Sequence, residues 1–182
     1  MESTQQRLFS FLNLIEILGI FTVLFLAGLF QLIYHELPCP LCLLQRVGFI
    51  GICIGLLMNL RFGPKPAHYS LTLLSALLTS WIALRQIALH VVPGTGSYGD
   101  PVFGFHLYTW SFILSTFTLL YTAIVLAFQQ QYSMVRPVSK VITFFTQLCF
   151  VLLFAITLLN GISTVLECGF HYCPDNPTHY IF

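Results

Sequence analysis

The chain has 182 residues, of which 57 % are hydrophobic and 7 % charged, against about a quarter charged in an ordinary soluble domain. With a mean hydropathy of +0.87, that composition excludes a water-soluble globule. Lys and Arg exceed Asp and Glu by only +1 and form no cluster, which excludes the phosphate-neutralising surface that nucleic-acid binding requires.

Long apolar runs predict five membrane-spanning helices, at about Phe11 to Tyr34, Leu43 to Leu60, Ser70 to Val92, Leu107 to Phe128 and Val141 to Thr164. At about 1.5 Å per residue each is long enough to cross a bilayer. The connections are short and polar or rich in Pro and Gly, so no soluble domain fits between helices. The expectation is a single integral membrane domain over 1–182, all-α, with a tail from Val165 to Phe182 in which Pro174 and Pro177 oppose further helix.

Arg7, Arg61, Lys65, Arg136 and Lys140 all fall on the side of the N-terminus, and the positive-inside rule makes that side cytoplasmic. Glu36, Asp100, Glu167 and Asp175 lie on the other side with the C-terminal tail. The first span is too long for a signal-peptide core and no small-residue cleavage site follows it, so it is expected to remain as an anchor. Tyr34, Tyr98, Tyr108 and Trp110 suit an outer interfacial belt. Glu16 is placed to reach the interface, Gln147 and Asn160 to bond a neighbouring helix, and Ser75, Thr79 and Ser80 to let helices approach closely. The glycine-rich third outer connection reads as a cap over the active site, with a role for its His106 left open.

The topology sorts the six cysteines. Cys39 and Cys42 form Cys-Pro-Leu-Cys at the outer mouth of the second span, and Cys168 and Cys173 lie in the outer tail. Cys53 and Cys149 lie within spans, where a thiol packs as a small hydrophobe. Two residues between cysteines permit a small disulfide, and a helix N-terminus favours thiolate over thiol, so the first pair reads as a redox motif; a stabilising disulfide or half of a metal site is the alternative.

Arg46 lies four residues beyond Cys42 on the same helix face, about 6 Å deeper. Burying an arginine in a span costs on the order of 3 kcal/mol. It either snorkels to the outer headgroups or holds the Cys42 thiolate and the charge developing on a lipid-soluble electron acceptor. Arg85 in the third span is in the same leaflet, with Gln86 and His90 beside it. A quinone is the obvious acceptor, because it resides in the bilayer, takes two electrons per dithiol, and has carbonyls that accept hydrogen bonds.

The segment Pro38-Cys39-Pro40-Leu41-Cys42-Leu43-Leu44-Gln45-Arg46 resembles the active-site segment of the DsbB family of bacterial disulfide bond formation proteins, a likeness that extends over about the first four spans. That resemblance implies a four-helix membrane bundle of the bacterial inner membrane. It would oxidise a periplasmic thioredoxin-like DsbA partner and pass the electrons to ubiquinone or menaquinone. It also implies that Cys39 and Cys42 are the quinone-coupled pair, with Cys42 the thiolate against the quinone ring and Arg46 the matching arginine. Arg85, Gln86 and His90 fall where the family places quinone-proximal residues.

Two features depart from the family pattern. The connection Pro93 to His106 contains no cysteine, where the family carries its second pair, and a fifth span is added. Cys168 and Cys173 are expected to replace the missing pair, receiving electrons from the partner and handing them to Cys39 and Cys42 by thiol-disulfide exchange; a local disulfide that stiffens the tail is the alternative. His171 between them is more simply solvated. Other readings of the whole chain are an enzyme like the vitamin K epoxide reductases, or a membrane protein holding Cu(I) or Zn on its outer Cys and His residues. Fixed positive charge at Arg46 and Arg85 opposes a cation, so no metal is expected.

Overall fold

Pro40 and Pro66 each open a helix at its first positions, where a missing N–H costs nothing. They help mark out five helices in the computed structural model, which describes residues 4–34, 37–92, 94, 96–97, 99–133, 140–169, 171–173, 177 and 180–181. These are α1 (Thr4–Ile33), α2 (Pro40–Phe62), α3 (Pro66–His90), α4 (Leu107–Leu126) and α5 (Lys140–Cys168), with a 3-10 turn at Gln129–Ser133 between α4 and α5. Each of the five is long and apolar enough to cross a membrane. No strand occurs among the described residues, and the α3–α4 connection contains a single antiparallel bridge between Val102 and Phe105. The fold is an all-helical membrane bundle with one helix beyond four.

The centre of the bundle is α2, which packs against α3 most extensively and also against α1 and α5, while α4 leans mainly on α3. Phe49, Ile52, Cys53, Leu56 and Leu57 of α2 are buried. Large apolar side chains on the outer faces, Phe25, Trp81, Phe117 and Phe154 among them, are exposed, as lipid-facing residues should be in a chain whose solvent is hydrocarbon. Helix α5 is the most peripheral, with few buried positions.

Small residues set the α2–α3 contact. Gly48, Gly51 and Gly55 face Thr79, Ser75 and Thr72, a matched ladder on the two helices. A Cβ at Gly51 would stand 2.5 Å from Ser75 Oγ, and one at Gly55 would meet Thr72 and stand 2.7 Å from the His68 carbonyl. Thr72 and Thr79 donate their hydroxyls to carbonyls one turn back in their own helix, at 3.3 and 2.7 Å, so the facing surface is polar in composition yet satisfied. Lipid gives apolar helices no hydrophobic reason to associate, and close backbone packing of this kind supplies the attraction.

At the end of the bundle nearer the N-terminus, Asn13 donates to the Tyr69 hydroxyl at 3.3 Å, Tyr69 donates to Gln131 at 3.0 Å, and Gln131 donates to the Val125 carbonyl at 2.6 Å. This chain ties α1, α3 and the 3-10 turn together. Glu16 does not reach an interface as expected: both its carboxylate oxygens are buried. A charge that the sequence places near a helix start is enclosed because α1 begins at Thr4, seven residues before the apolar run.

Helix α5 continues past Thr164 to Cys168, so Glu167 and Cys168 belong to the helix and not to the tail. It stops at Gly169, whose φ of 60° suits glycine and whose N–H closes on the Val165 carbonyl at 2.8 Å. Tyr108 is buried in place of joining an interfacial belt. Tyr98, Glu36, Arg136, Pro174 and Asp175 lie outside the described residues.

Candidate thiol-disulfide site

Cys39 is the N-cap of α2, extended in backbone, and its Sγ accepts the Cys42 backbone N–H at 3.2 Å. A sulfur thus occupies the place a Ser or Asp oxygen usually takes, where orphan N–H groups and the positive end of the helix favour negative charge. Cys42 follows in the first turn, and the two sulfurs approach to 2.6 Å as free cysteines. The Cys39 thiol is held above its ordinary range, first by its hydrogen bond with Cys42 and then by burial.

Gln86 of α3 is fully buried and donates its Nε2 to both sulfurs, at 3.2 Å to Cys39 and 3.3 Å to Cys42. Gln45 of α2, also buried, donates to Gln86 Oε1 at 2.7 Å. That bond turns the carbonyl toward α2 and leaves the amide N–H groups facing the sulfurs. The tight α2–α3 contact brings Gln86 this close.

One turn below Cys42, Arg46 is half-buried and does not snorkel outward. It donates Nη1 to Gln31 Oε1 at 2.8 Å and Nη2 to the Ala27 carbonyl at 3.2 Å, both on α1. Gln31 in turn donates to Ser163 of α5 at 2.6 Å and to the Tyr180 hydroxyl at 3.0 Å. Ile181 hydrogen-bonds back to the Leu166 carbonyl at 2.9 Å, which holds this part of the tail against α5. Glu167, fully buried near the end of α5, has no hydrogen-bond partner for either carboxylate oxygen among the described residues.

Two cavities share Arg46 and Gln31 in their walls. The smaller, of about 70 Å³, lies between α1, α2 and α4 and is lined also by Cys42, Gln45, Tyr108 and Gly99. The larger, of about 340 Å³, lies between α1, α2 and α5 and is almost wholly apolar, ending on Arg46, Asn160 and Ser163. Asn160 Oδ1 has no hydrogen-bond partner among the described residues. Gly99 brings the α3–α4 connection over the smaller cavity, and His106 Nδ1 lies 3.0 Å from the Gly99 carbonyl.

The remaining expected residues divide. His90 stands behind the small cavity, stacked on Tyr108 at 5.4 Å with Nδ1 2.8 Å from the Gln86 carbonyl; Tyr108 stacks on His106 at 5.3 Å. Arg85 is exposed, because one residue before Gln86 is about 100° round the helix, and it stands apart from the sulfurs. Cys168 and Cys173 form a disulfide with Cα atoms 4.5 Å apart; Cys168 is buried, Cys173 half-exposed, and His171 exposed. Cys53 and Cys149 are buried in the apolar core. Among the described residues no three His, Cys, Asp or Glu side chains form a metal cluster. Gln31, Gln45, Tyr108 and Tyr180 are members of the site that sequence reasoning did not assign. A polar residue within an apolar span was the available signal for Gln31 and Gln45.

A pair of adjacent thiols at a helix N-terminus, buffered by an amide and a guanidinium inside a membrane bundle, defines a membrane thiol-disulfide oxidoreductase. The family model described as disulfide bond formation protein DsbB matches residues 9–98, and the chain belongs to that family, whose work is disulfide bond formation. The match covers α1 to α3 and ends before α4, one helix short of the expected extent, so α4, α5 and the tail stand outside it. No curated protein and no solved structure gives a match.

Proposed function

We propose that the protein re-oxidises a periplasmic DsbA-like dithiol partner and passes the electron pair through Cys39 and Cys42 to a membrane quinone, ubiquinone or menaquinone. It acts in the bacterial inner membrane with the N-terminus cytoplasmic and the C-terminus periplasmic. The observation that carries this reading is the Cys39–Cys42 pair itself, with both sulfurs on the Gln86 amide and Arg46 one turn below.

A quinone, when bound, would take two electrons from the pair, one proton from Cys39 and a second proton from outside the pair, and leave as hydroquinone. The residues present suit such a group: Arg46, Gln31 and the unpartnered Asn160 amide supply polar contacts at one end of an apolar cavity between helices. The chain's own work is then to hold the proton on Cys39, to keep charge on Cys42 with Gln86 and Arg46, and to exclude water with Tyr108 and the Gly99 connection. The tail disulfide receives the partner's electrons, and the half-exposed Cys173 is the sulfur a partner thiolate can attack. Partner dithiol and quinone become partner disulfide and hydroquinone, which balances in electrons and protons.

The test is quinone reduction by the purified protein supplied with a reduced thioredoxin-like dithiol. Cys42→Ser abolishes it. Cys168→Ser/Cys173→Ser abolishes partner-driven reduction but leaves reoxidation of a chemically reduced Cys39–Cys42 pair by quinone intact. Full partner oxidation by the double variant overturns the relay through the tail, and inactivity of the wild type with both quinone types overturns the assignment.

A further inference from the structure

The larger cavity is polar at one end only. Its α1 wall runs from Leu24 to Leu32 and its α5 wall from Ile156 to Leu166, more than about 10 Å along each helix. Arg46, Gln31, Asn160, Ser163 and Tyr180 supply the polar groups, and every other lining residue is apolar or glycine. The glycine is Gly28, one turn of α1 before Gln31. It is half-buried, yet a Cβ built on it meets no atom within 4 Å. Gly48, Gly51 and Gly55 are small because α3 presses on them, and Gly19 and Gly161, which also face open space, are exposed. The missing side chain of Gly28 instead keeps the cavity open. Phe25, Leu29 and Leu159 line it and are exposed, and α1 touches α5 less than it touches α2, so the cavity opens sideways into lipid. Cys42 lines the smaller cavity and not this one; Arg46 and Gln31 form the wall common to both.

We propose that the α1–α5 cleft is the track for the prenyl tail of the quinone: the tail lies along Gly28 and leaves for the bilayer between α1 and α5, with the head held at Arg46, Asn160 and Ser163. The inference rests on the proposed thiol-quinone function and adds where the tail runs. An apolar channel with neutral polar groups at one end matches a molecule that is a polar ring on a hydrocarbon chain. Ser163 accepts from Gln31 at 2.6 Å and keeps its own O–H to donate, and the Asn160 amide carries both a donor and an acceptor. The two residues therefore suit the carbonyls of a quinone and the hydroxyls of a hydroquinone alike. A phosphodiester accepts only and would leave the buried Asn160 Oδ1 unmatched. The α5 wall lies outside the family match over residues 9–98, so quinone binding here becomes a task of the fifth helix.

The test is direct binding, apart from turnover. The detergent-purified protein is dialysed to equilibrium against a ubiquinone or menaquinone bearing a ten-carbon tail, or against the matching tail-less ring, and bound quinone is quantified by chromatography. Gly28→Leu fills the track without a clash, so affinity for the tailed quinone falls at least about tenfold while that for the tail-less ring stays within about twofold. Gly19→Leu, at an exposed position of α1, changes neither. Asn160→Leu weakens both alike, by about fivefold. A Gly28→Leu variant that binds both as the wild type does, or loses both equally, overturns the tail track. A wild type that binds no quinone of either kind removes the thiol-quinone function itself, and the inference with it. Should Gly28→Leu not fold, a quinone with a photoreactive diazirine on its tail decides in the wild type. Label on α5 between Ile156 and Ile162 supports the proposal, and absence of label from α5 overturns it. A phospholipid that occupies the cleft and is not displaced by the tailed quinone also overturns it.

Discussion

Gln86→Leu isolates the contribution of one amide to the thiol site. Leucine has nearly the same volume and is apolar, so it keeps the α3 packing while removing the donations of 3.2 and 3.3 Å to Cys39 and Cys42. A hydrogen bond to a charged group is worth about 1.5–3 kcal/mol, and about 1.4 kcal/mol corresponds to tenfold in an ionisation equilibrium. Loss of the amide therefore lowers the thiolate fraction of Cys42 at a given pH about 10- to 100-fold. It also strands the Gln45 Nε2 that donates to Gln86 at 2.7 Å, which costs about 1–3 kcal/mol in stability. The assay is the pH dependence of Cys42 alkylation, read by mass spectrometry in detergent, with turnover measured alongside. Alkylation and turnover fall together near neutral pH and recover as pH rises, since alkali restores the thiolate that the amide no longer stabilises. An alkylation profile unchanged from wild type would refute the argument and reduce Gln86 to packing.

Two further tests address the arginine and the helix contact. Arg46→Ala slows quinone reduction at least tenfold while both disulfides still form, whereas Arg85→Ala, at an exposed position, keeps wild-type turnover; steady-state kinetics separate the two, and equal losses would show that the two arginines act alike. Gly55→Ala destabilises by about 1–3 kcal/mol, because the new methyl meets the His68 carbonyl, which cannot rotate away. Gly51→Ala costs less, because the Ser75 hydroxyl can turn aside. Unfolding in a mild detergent series ranks the pair, and the reverse order would show that the helices are free to separate at Gly55.

Much of this was legible in composition and spacing. Five apolar runs gave the helices, since a continuous run of about twenty apolar residues satisfies its own backbone in hydrocarbon only as a helix, whereas the strands of a barrel alternate and are about half as long. Cys-Pro-Leu-Cys followed by Arg46 marked the thiol site because a proline at the helix start and a charge one turn below are local features. Gln86 lay within the segment of α3 singled out, yet its partner Gln45 did not stand out, because a contact between glutamines 41 residues apart leaves no local trace. Arg85 and Gln86 looked equivalent in sequence, and only the rotation of α3 about its axis sends one to the sulfurs and the other outward. Glu167 was hidden for a different reason: the apolar run was read as ending at Thr164, while α5 runs on to Cys168 and stops at Gly169, and four residues decide whether an acid sits in a tail or is buried in a helix.

Gly63, Pro64 and Lys65 alone join α2 to α3, and the glycine face of one helix meets the hydroxyl face of the next. Two spans so matched can enter the bilayer as a preformed hairpin, so the sulfurs and the Gln86 amide meet while synthesis is still under way. Arg46 has its α1 partners by then, but Ser163, Glu167 and Tyr180 emerge only with the final helix and the tail beyond it. The thiol pair is therefore built before the polar chain behind its arginine is complete, and a nascent chain halted after α4 would carry a cysteine pair able to close, beside an arginine whose partner Gln31 still waits for Ser163 and Tyr180.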